Sequence, residues 1–214
     1  GLSAKLGMDF EASLSQVQAI SGATSNELIQ LEEAARAAGS TTSKSAKDAA
    51  DALMYMSLAG WDTKTSMDSL MPVLRLSEAG NLDLARSSDL TTDSMSALGK
   101  TSDELSTYLD QVAKTSTITN TNVDMLMEAF IETGGMAKTL KADTSELSAT
   151  LGVLANAGYK GSEAGRALNT ILTRLAKPPK EAANSLDALG IKVFDSQGNF
   201  LGLENVLGQL NTAF

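Results

Sequence analysis

Apolar residues recur at helical spacing through most of the chain, in short runs that keep stopping. Leu105/Tyr108/Leu109/Val112, Val123/Leu126/Met127/Phe130, Leu147/Leu151/Leu154 and Leu168/Ile171/Leu172/Leu175 each mark one buried stripe of an amphipathic helix. The starts of the runs share a signature. Ser, Thr or Asp stands three residues before an acid at Thr24/Glu27, Ser45/Asp48, Thr65/Asp68, Thr101/Glu104, Thr121/Asp124 and Asp143/Glu146. In such a capping box the first side chain accepts an orphan backbone N–H, and the acid reaches back and complements the helix dipole. One such tetrapeptide arises by chance in a Ser/Thr-rich chain. A series of them, each opening an apolar-periodic run, predicts a series of helix starts.

The stops agree. Gly39, Gly60, Gly80, Gly99, Gly158 and Gly190 each follow an apparent last turn, and the first four are spaced by 21, 20 and 19 residues. That interval fits a helix of about three to four turns plus a short connection. With Gly60, Gly158 and Gly190 as left-handed capping residues, Trp61, Tyr159 and Ile191 come next and pack back on Met56, Leu154 and Leu186. The tempting lone aromatics are thereby assigned to caps rather than to a ligand site. Pro72 falls inside a predicted helix and implies a kink or a later start. "LAGWD" (58–62) and "NAGYK" (156–160) echo one another. The rhythm could be that of a solenoid pairing helices at about 40 residues, but no self-similarity beyond the caps supports one. The same caps interrupt any coiled-coil heptad.

One stretch departs from the pattern: "LAKPPKEAANSLDALGIKVFDSQGNF", residues 175–200. Pro178 pushes Lys177 toward extended geometry and ends the preceding helix. Pro179 suits the first turn of a new, short helix that stops at Gly190. Ile191–Phe194 then reads as a strand, "DSQG" as a turn with Gly198 at positive φ, and Asn199–Leu201 as the return. An isolated hairpin must pack on something to persist, and the preceding helices are the expected support. The fold class expected is all-α, a multi-helix bundle or irregular array of short capped helices, with one small β-hairpin near the C-terminus. It is expected to form one helical domain over 1–214, with a possible subdivision into 1–99 and 100–214.

Composition narrows the function classes. The chain has 214 residues, 43% hydrophobic but only 4% aromatic, so Leu, Met and Ala must fill the interior. A net charge of −9 with scattered basic residues argues against specific nucleic-acid binding, where clustered cations supply most of the affinity. There is no Cys and no His, which removes disulfides, thiolate chemistry, the commonest general base and the commonest transition-metal ligand. No apolar run reaches the roughly 18–20 residues needed to cross a bilayer, and "GLSAKLGMDFEASL" is not a signal peptide. The missing initiator Met and an end inside a helical pattern are those of a piece of a longer protein.

Candidate chemistry is sparse. Of the nine Met residues, pairs such as Met54/Met56 and Met125/Met127 place one member in the core and one outside, which suits packing better than a binding groove. Glu32-Glu33 and Asp103-Glu104 are solvated helix faces without calcium-loop spacing. "GYKGSEAG" (158–165) has three glycines at a helix start, but no strand precedes it and no GK[ST] ends it. No nucleophile–base pair can be assembled. No catalytic, cofactor-binding or metal-binding residue is assigned, no cofactor is expected, and an enzyme is not expected.

Four blocks carry a family resemblance: "MDFEASLSQVQAISGAT" (8–24), "ADALMYMSLAGWD" (50–62), "LGVLANAGYKGSEAGRALNTILTRLAKPPKEAANSLDALGIKVFDSQGNF" (151–200) and "LENVLGQL" (203–210). In order and nearly throughout, they resemble the shared core of phage tail tape measure proteins. That pattern runs from F-E through a Ser-Gly-Ala-Thr loop and Ala-Gly helix ends to Lys-Pro-Pro and a Gly-Ile hairpin. "SLAGW" and "ETGGMAKTL" vary within the helical region without disturbing the order.

The resemblance implies a structural virion protein, assembled in the bacterial host cytoplasm. It would occupy the tail lumen, set tail length and leave ahead of the DNA. It implies tail tube and tail-tip proteins, tail assembly chaperones and further copies of the chain as partners, with membrane contact only at infection, and no catalytic residues. Breaks every 20 residues make this chain a folded module rather than the ruling rod itself. The rival expectation is a membrane-active helical module that inserts into the host envelope during genome ejection. It would need basic polar faces and large apolar ones, whereas these helices are acidic and Ala-rich.

Overall fold

The structure, a computed structural model, describes residues 2–213. Among the described residues there are eleven α-helices: α1 (Leu2–Ser21), α2 (Ser25–Thr41), α3 (Ala46–Leu58), α4 (Thr63–Gly80), α5 (Leu84–Leu98), α6 (Leu105–Ile118), α7 (Val123–Leu140), α8 (Thr144–Asn156), α9 (Gly161–Ala176), α10 (Lys180–Ala188) and α11 (Leu203–Ala213). A single 3-10 turn, Ser102–Glu104, leads into α6. The chain divides into two compact units. The first runs up to Ser96 and takes up Lys100–Ala113; the second holds Ala97–Gly99 and everything from Lys114 onward.

In the first unit α3 is the central helix, packed against α1, α2 and α4. It buries Ala49, Ala50, Ala52, Leu53 and Met56, so small side chains let its neighbours approach closely. Gly39 serves that approach. It lies within α2 rather than ending it, and a Cβ there would run into the backbone of Ala46 at the start of α3. From α1, Phe10, Leu14 and Val17 are buried, and the Arg36 guanidinium lies 4.5 Å over the Phe10 ring. Polar ties close the unit. Ser13 donates to Asp51 at 2.7 Å, and Glu78 of α4 accepts from both the backbone N–H and the hydroxyl of Ser43.

The second unit is organised by α7 and α9. Their backbones nearly touch: a Cβ on Gly165 would lie 2.5 Å from the Ala129 carbonyl oxygen. The Thr133 hydroxyl donates across the seam to the Gly165 carbonyl at 3.0 Å, and Arg166 pairs with Glu132 at 3.2 Å on its exposed edge. Phe130, Met127, Leu168 and Leu172 fill the interior beside the seam.

The two units use one local plan, shifted by 60 residues. The 18-residue α4 and the 18-residue α7 start behind Asp62 and Asn122, each of which accepts a backbone N–H with its side chain. Each ends on a left-handed residue, Asn81 (φ 49) and Lys141 (φ 52). Two residues later Asp83 and Asp143 cap the next helix by accepting from Arg86 and Glu146 N–H. The buried positions coincide as well: Ser66 with Leu126, Ser69 with Ala129, Leu70 with Phe130, Ser77 with Ala137, Ser87 with Leu147 and Thr91 with Leu151. Caps and burial thus correspond at 60 residues, not at the 40-residue interval of paired solenoid helices, and the matched residues mostly differ in identity.

The predicted helix ends fare unevenly. Thr24/Glu27 and Ser45/Asp48 form complete capping boxes. At Thr65/Asp68 the helix starts earlier, and Asp62 accepts from Thr65 N–H. At Thr121/Asp124 the cap is Asn122, whose side chain accepts from Met125 N–H. Gly60, Gly99, Gly158 and Gly190 hold the left-handed capping position, whereas Gly80 yields it to Asn81. Pro72 sits inside a helix that continues to Gly80.

The predicted β-hairpin is not formed. Among the described residues there is no strand, only a single antiparallel bridge between Phe194 and Phe200. The physical reason lies in competing hydrogen bonds. The Asp195 carboxylate accepts from Gln197 N–H, Asn199 N–H and the Asn199 amide, which tightens the segment into a loop. Two ladder bonds do form, Asp195 N–H to the Asn199 carbonyl and Leu201 N–H to the Val193 carbonyl, while the outward N–H and C=O of Lys192 are held by the Gln209 side chain. On the return arm, Gly202 turns away at φ 90. The ladder has no room to extend. The apolar side chains still pack: Ile191, Val193 and Val206 form a small core flanked by Leu175, Leu186, Phe194 and Phe200.

Candidate functional surfaces

The aromatic residues beside glycine are helix caps. Trp61 N–H donates to the Met56 carbonyl at 3.1 Å, and Tyr159 N–H to the Leu154 carbonyl at 2.9 Å. Ile191 N–H reaches the Leu186 carbonyl at 2.9 Å in the same way. In each case the preceding glycine donates to a carbonyl three residues back, which completes the double cap. Tyr159 remains 48% exposed and Trp61 is half-buried, so neither lines an enclosed pocket.

The "GYKGSEAG" stretch opens α9, but its surroundings oppose a phosphate. Lys160 gives no side-chain cap, and its ammonium is directed at the Asn120 side-chain oxygen 2.9 Å away. The Glu128 carboxylate and Met125 crowd the face of Gly161. An acid at the mouth of a helix N-terminus occupies the place an anion would need. Of the methionine pairs, Met56 and Met127 are fully buried while Met54 and Met125 lie further out.

Perturbed carboxylates trace the scaffold rather than a reaction centre. A backbone N–H from Thr24 holds Glu27 below the usual carboxylate range, and Thr65 does the same for Asp62. Ser43 lowers Glu78, the Lys100 ammonium lowers Glu104, and Asn199 lowers Asp195. Each partner is a cap or loop contact. Burial pushes the phenol of Tyr108 up, near Ser94, and Asp93, although exposed, is raised by partial desolvation and by the Asp89 carboxylate beside it. Among the described residues no three acids group into a metal site.

A cleft of about 600 Å³ lies in the second unit and is lined by Lys141, Asp143, Glu146, Phe200, Gly202 and Glu204. Its carboxylates are already engaged. Asp143 caps α8, and Glu146 does not return to Asp143 but accepts the backbone N–H of Glu204, the second residue of α11. A helix fifty-eight residues away is thus capped from α8. Sequence spacing could not have found this contact, because the box pattern at Asp143/Glu146 points to a local partner. Nor does any local pattern announce the Gln209 clamp on Lys192. These are positioning contacts, which fix α11 and the Lys192 segment around the small core of Ile191, Val193 and Val206.

Comparison with known proteins gives this surface its context. Residues 32–214 match the family model of the phage-related minor tail protein. The chain is 35% identical over 211 residues to the tape measure protein of Pneumococcus phage Dp-1, covering 99% of this chain and 18% of that protein. It is 28% identical over 210 residues to the probable tape measure protein of Escherichia phage P2, covering 97% of this chain and 26% of that protein. The chain therefore spans about a fifth to a quarter of the length of these relatives. No solved structure matches it.

Proposed function

We propose that this chain, which belongs to the phage-related minor tail protein family and so has a structural role in a phage tail, is a folded helical section of a tape measure protein. In this role it helps set tail length during assembly and leaves the tail ahead of the DNA. The observation that carries the proposal is the match along nearly the whole chain to two proteins bearing the tape measure name. The architecture supports the word folded. Among the described residues the longest helix, α1, has 20 residues, which is ~30 Å at the usual rise. Backbone-to-backbone packing at Ala129 and Gly165 further marks a tertiary fold rather than a string of separate helices.

The section acts as a module carried by the tape measure rather than as the ruling rod. Its partners are tail tube and tail-tip proteins, tail assembly chaperones and further copies of itself in the lumen, with assembly in the host cytoplasm. Sixteen acidic against eight basic side chains in the first unit, and ten against nine in the second, suit a protein that must not adhere to DNA in a shared channel. Among the described residues no helix is long and apolar enough to cross a membrane.

Proteolysis of virions tests the proposal. In intact particles, peptides from 151–200 should resist added protease, and triggered ejection should release them from the tail. Cleavage in intact particles, or retention in emptied tails, would overturn it. Dye leakage from liposomes exposed to the isolated chain would favour the membrane-active rival instead.

A further inference from the structure

We infer that α4–α5 is a built-in weak layer, at which the fold opens while the α7–α9 packing stays closed. The observation is the set of positions matched at the 60-residue shift. Where α7 and α8 bury Leu126, Ala129, Ala137, Leu147 and Leu151, α4 and α5 bury Ser66, Ser69, Ser77, Ser87 and Thr91. The exchange also runs the other way at Val73 with Thr133 and at Leu84 with Thr144. Thr133, however, uses its hydroxyl to tie α7 to α9 through the Gly165 carbonyl. The hydroxyls of the first set bind nothing beyond their own neighbourhood.

Their local bonding is specific. Ser88 donates to Leu84, Thr91 to Ser87 and Ser94 to Thr91, all within α5, and Ser77 donates to Leu82 just past the end of α4. Such back-bonding weakens a helix slightly and adds no tertiary contact; of these hydroxyls Ser94 alone also meets another helix, at the Tyr108 phenol of α6. Ser66, Ser69 and Ser87 have no hydrogen-bond partner in the protein although each is at most 1% exposed. A buried hydroxyl without a partner favours the open state, because opening returns it to water. The α5 helix is the extreme case, with Ser87, Ser88, Thr91, Thr92 and Ser94 all buried.

The large apolar residues of the same layer, Leu70, Val73, Leu74, Leu90 and Met95, keep it closed at rest. Opening would turn Thr63–Leu98 into a connection that reaches ~120 Å when fully extended. The fold thus carries its own extensible segment between helices that remain packed.

Native-state hydrogen exchange on the chain decides the matter. Peptides covering 66–95 should exchange through a sub-global opening at least ~100-fold more populated than the opening that exposes 126–137 and 161–172. Replacing Ser66, Ser69 and Ser87 by Ala removes the unpartnered hydroxyls at little cost in volume. It should lower exchange in 66–95 by about tenfold and leave α7 and α9 unchanged. Equal protection of the two regions, or no slowing in the triple variant, would overturn the inference.

Discussion

Gly165 and Gly135 are both helical or helix-packed glycines with opposite surroundings. A methyl group on Gly165 would press on the Ala129 backbone, whereas one on Gly135 meets nothing within 4 Å. Gly165→Ala should therefore cost about 1–3 kcal/mol in denaturant unfolding. Gly135→Ala should be neutral or stabilise by about 0.5–1 kcal/mol through helix propensity. Carboxylates give a second residue-level test. Glu27 and Asp62 are lowered by their caps, Glu78 by Ser43, Glu104 by the Lys100 ammonium and Asp195 by Asn199. Their contribution is present above the unfolded pKa, near 4, and is lost as pH falls through the lower folded value. Asp93 is raised by partial desolvation and by Asp89, so its sign is reversed. Asp93→Asn should raise Tm at neutral pH, and the gain should vanish as pH falls through the raised folded value.

At the scale of elements, the Gln209 clamp and the Glu146 cap hold the C-terminal pieces in place. Gln209→Ala frees both backbone groups of Lys192 and should cost about 1 kcal/mol, with faster amide exchange at Lys192 and no change in α1–α3. Glu146→Gln should loosen the start of α11 in the same assay. Helices were legible in the sequence because cap and stripe are local signals. Thr24/Glu27, Ser45/Asp48 and the Gly60, Gly158 and Gly190 caps follow the expected geometry. What was hidden is contact between distant segments. Gly39 has the look of a helix stop but makes room for Ala46. Asn81 and Lys141 take left-handed caps without being glycine, which residue type alone does not announce. The hairpin stops at two ladder bonds because the Asp195 carboxylate takes the Asn199 N–H that would return to the Asp195 carbonyl, and Gly202 turns the return segment away at φ 90. The 60-residue plan leaves no sequence signal because its matched positions trade hydroxyls for apolar side chains.

At the scale of the whole molecule, the chain is a set of short capped helices in two packed units, and its relatives are tail proteins several times its length. A ruler and a module make different demands on such a segment. A ruler adds length in proportion to its residues, so its helices must run end to end. A module contributes a surface, and its helices fold back on one another as α7 and α9 do. In-frame deletion of residues 1–214 from the parent reading frame, followed by electron microscopy of the tails, separates the two most directly. The folded-module account predicts that complete tails fail to form. Intact, infectious tails shortened by ~320 Å, the span of 214 residues as continuous helix, would contradict it.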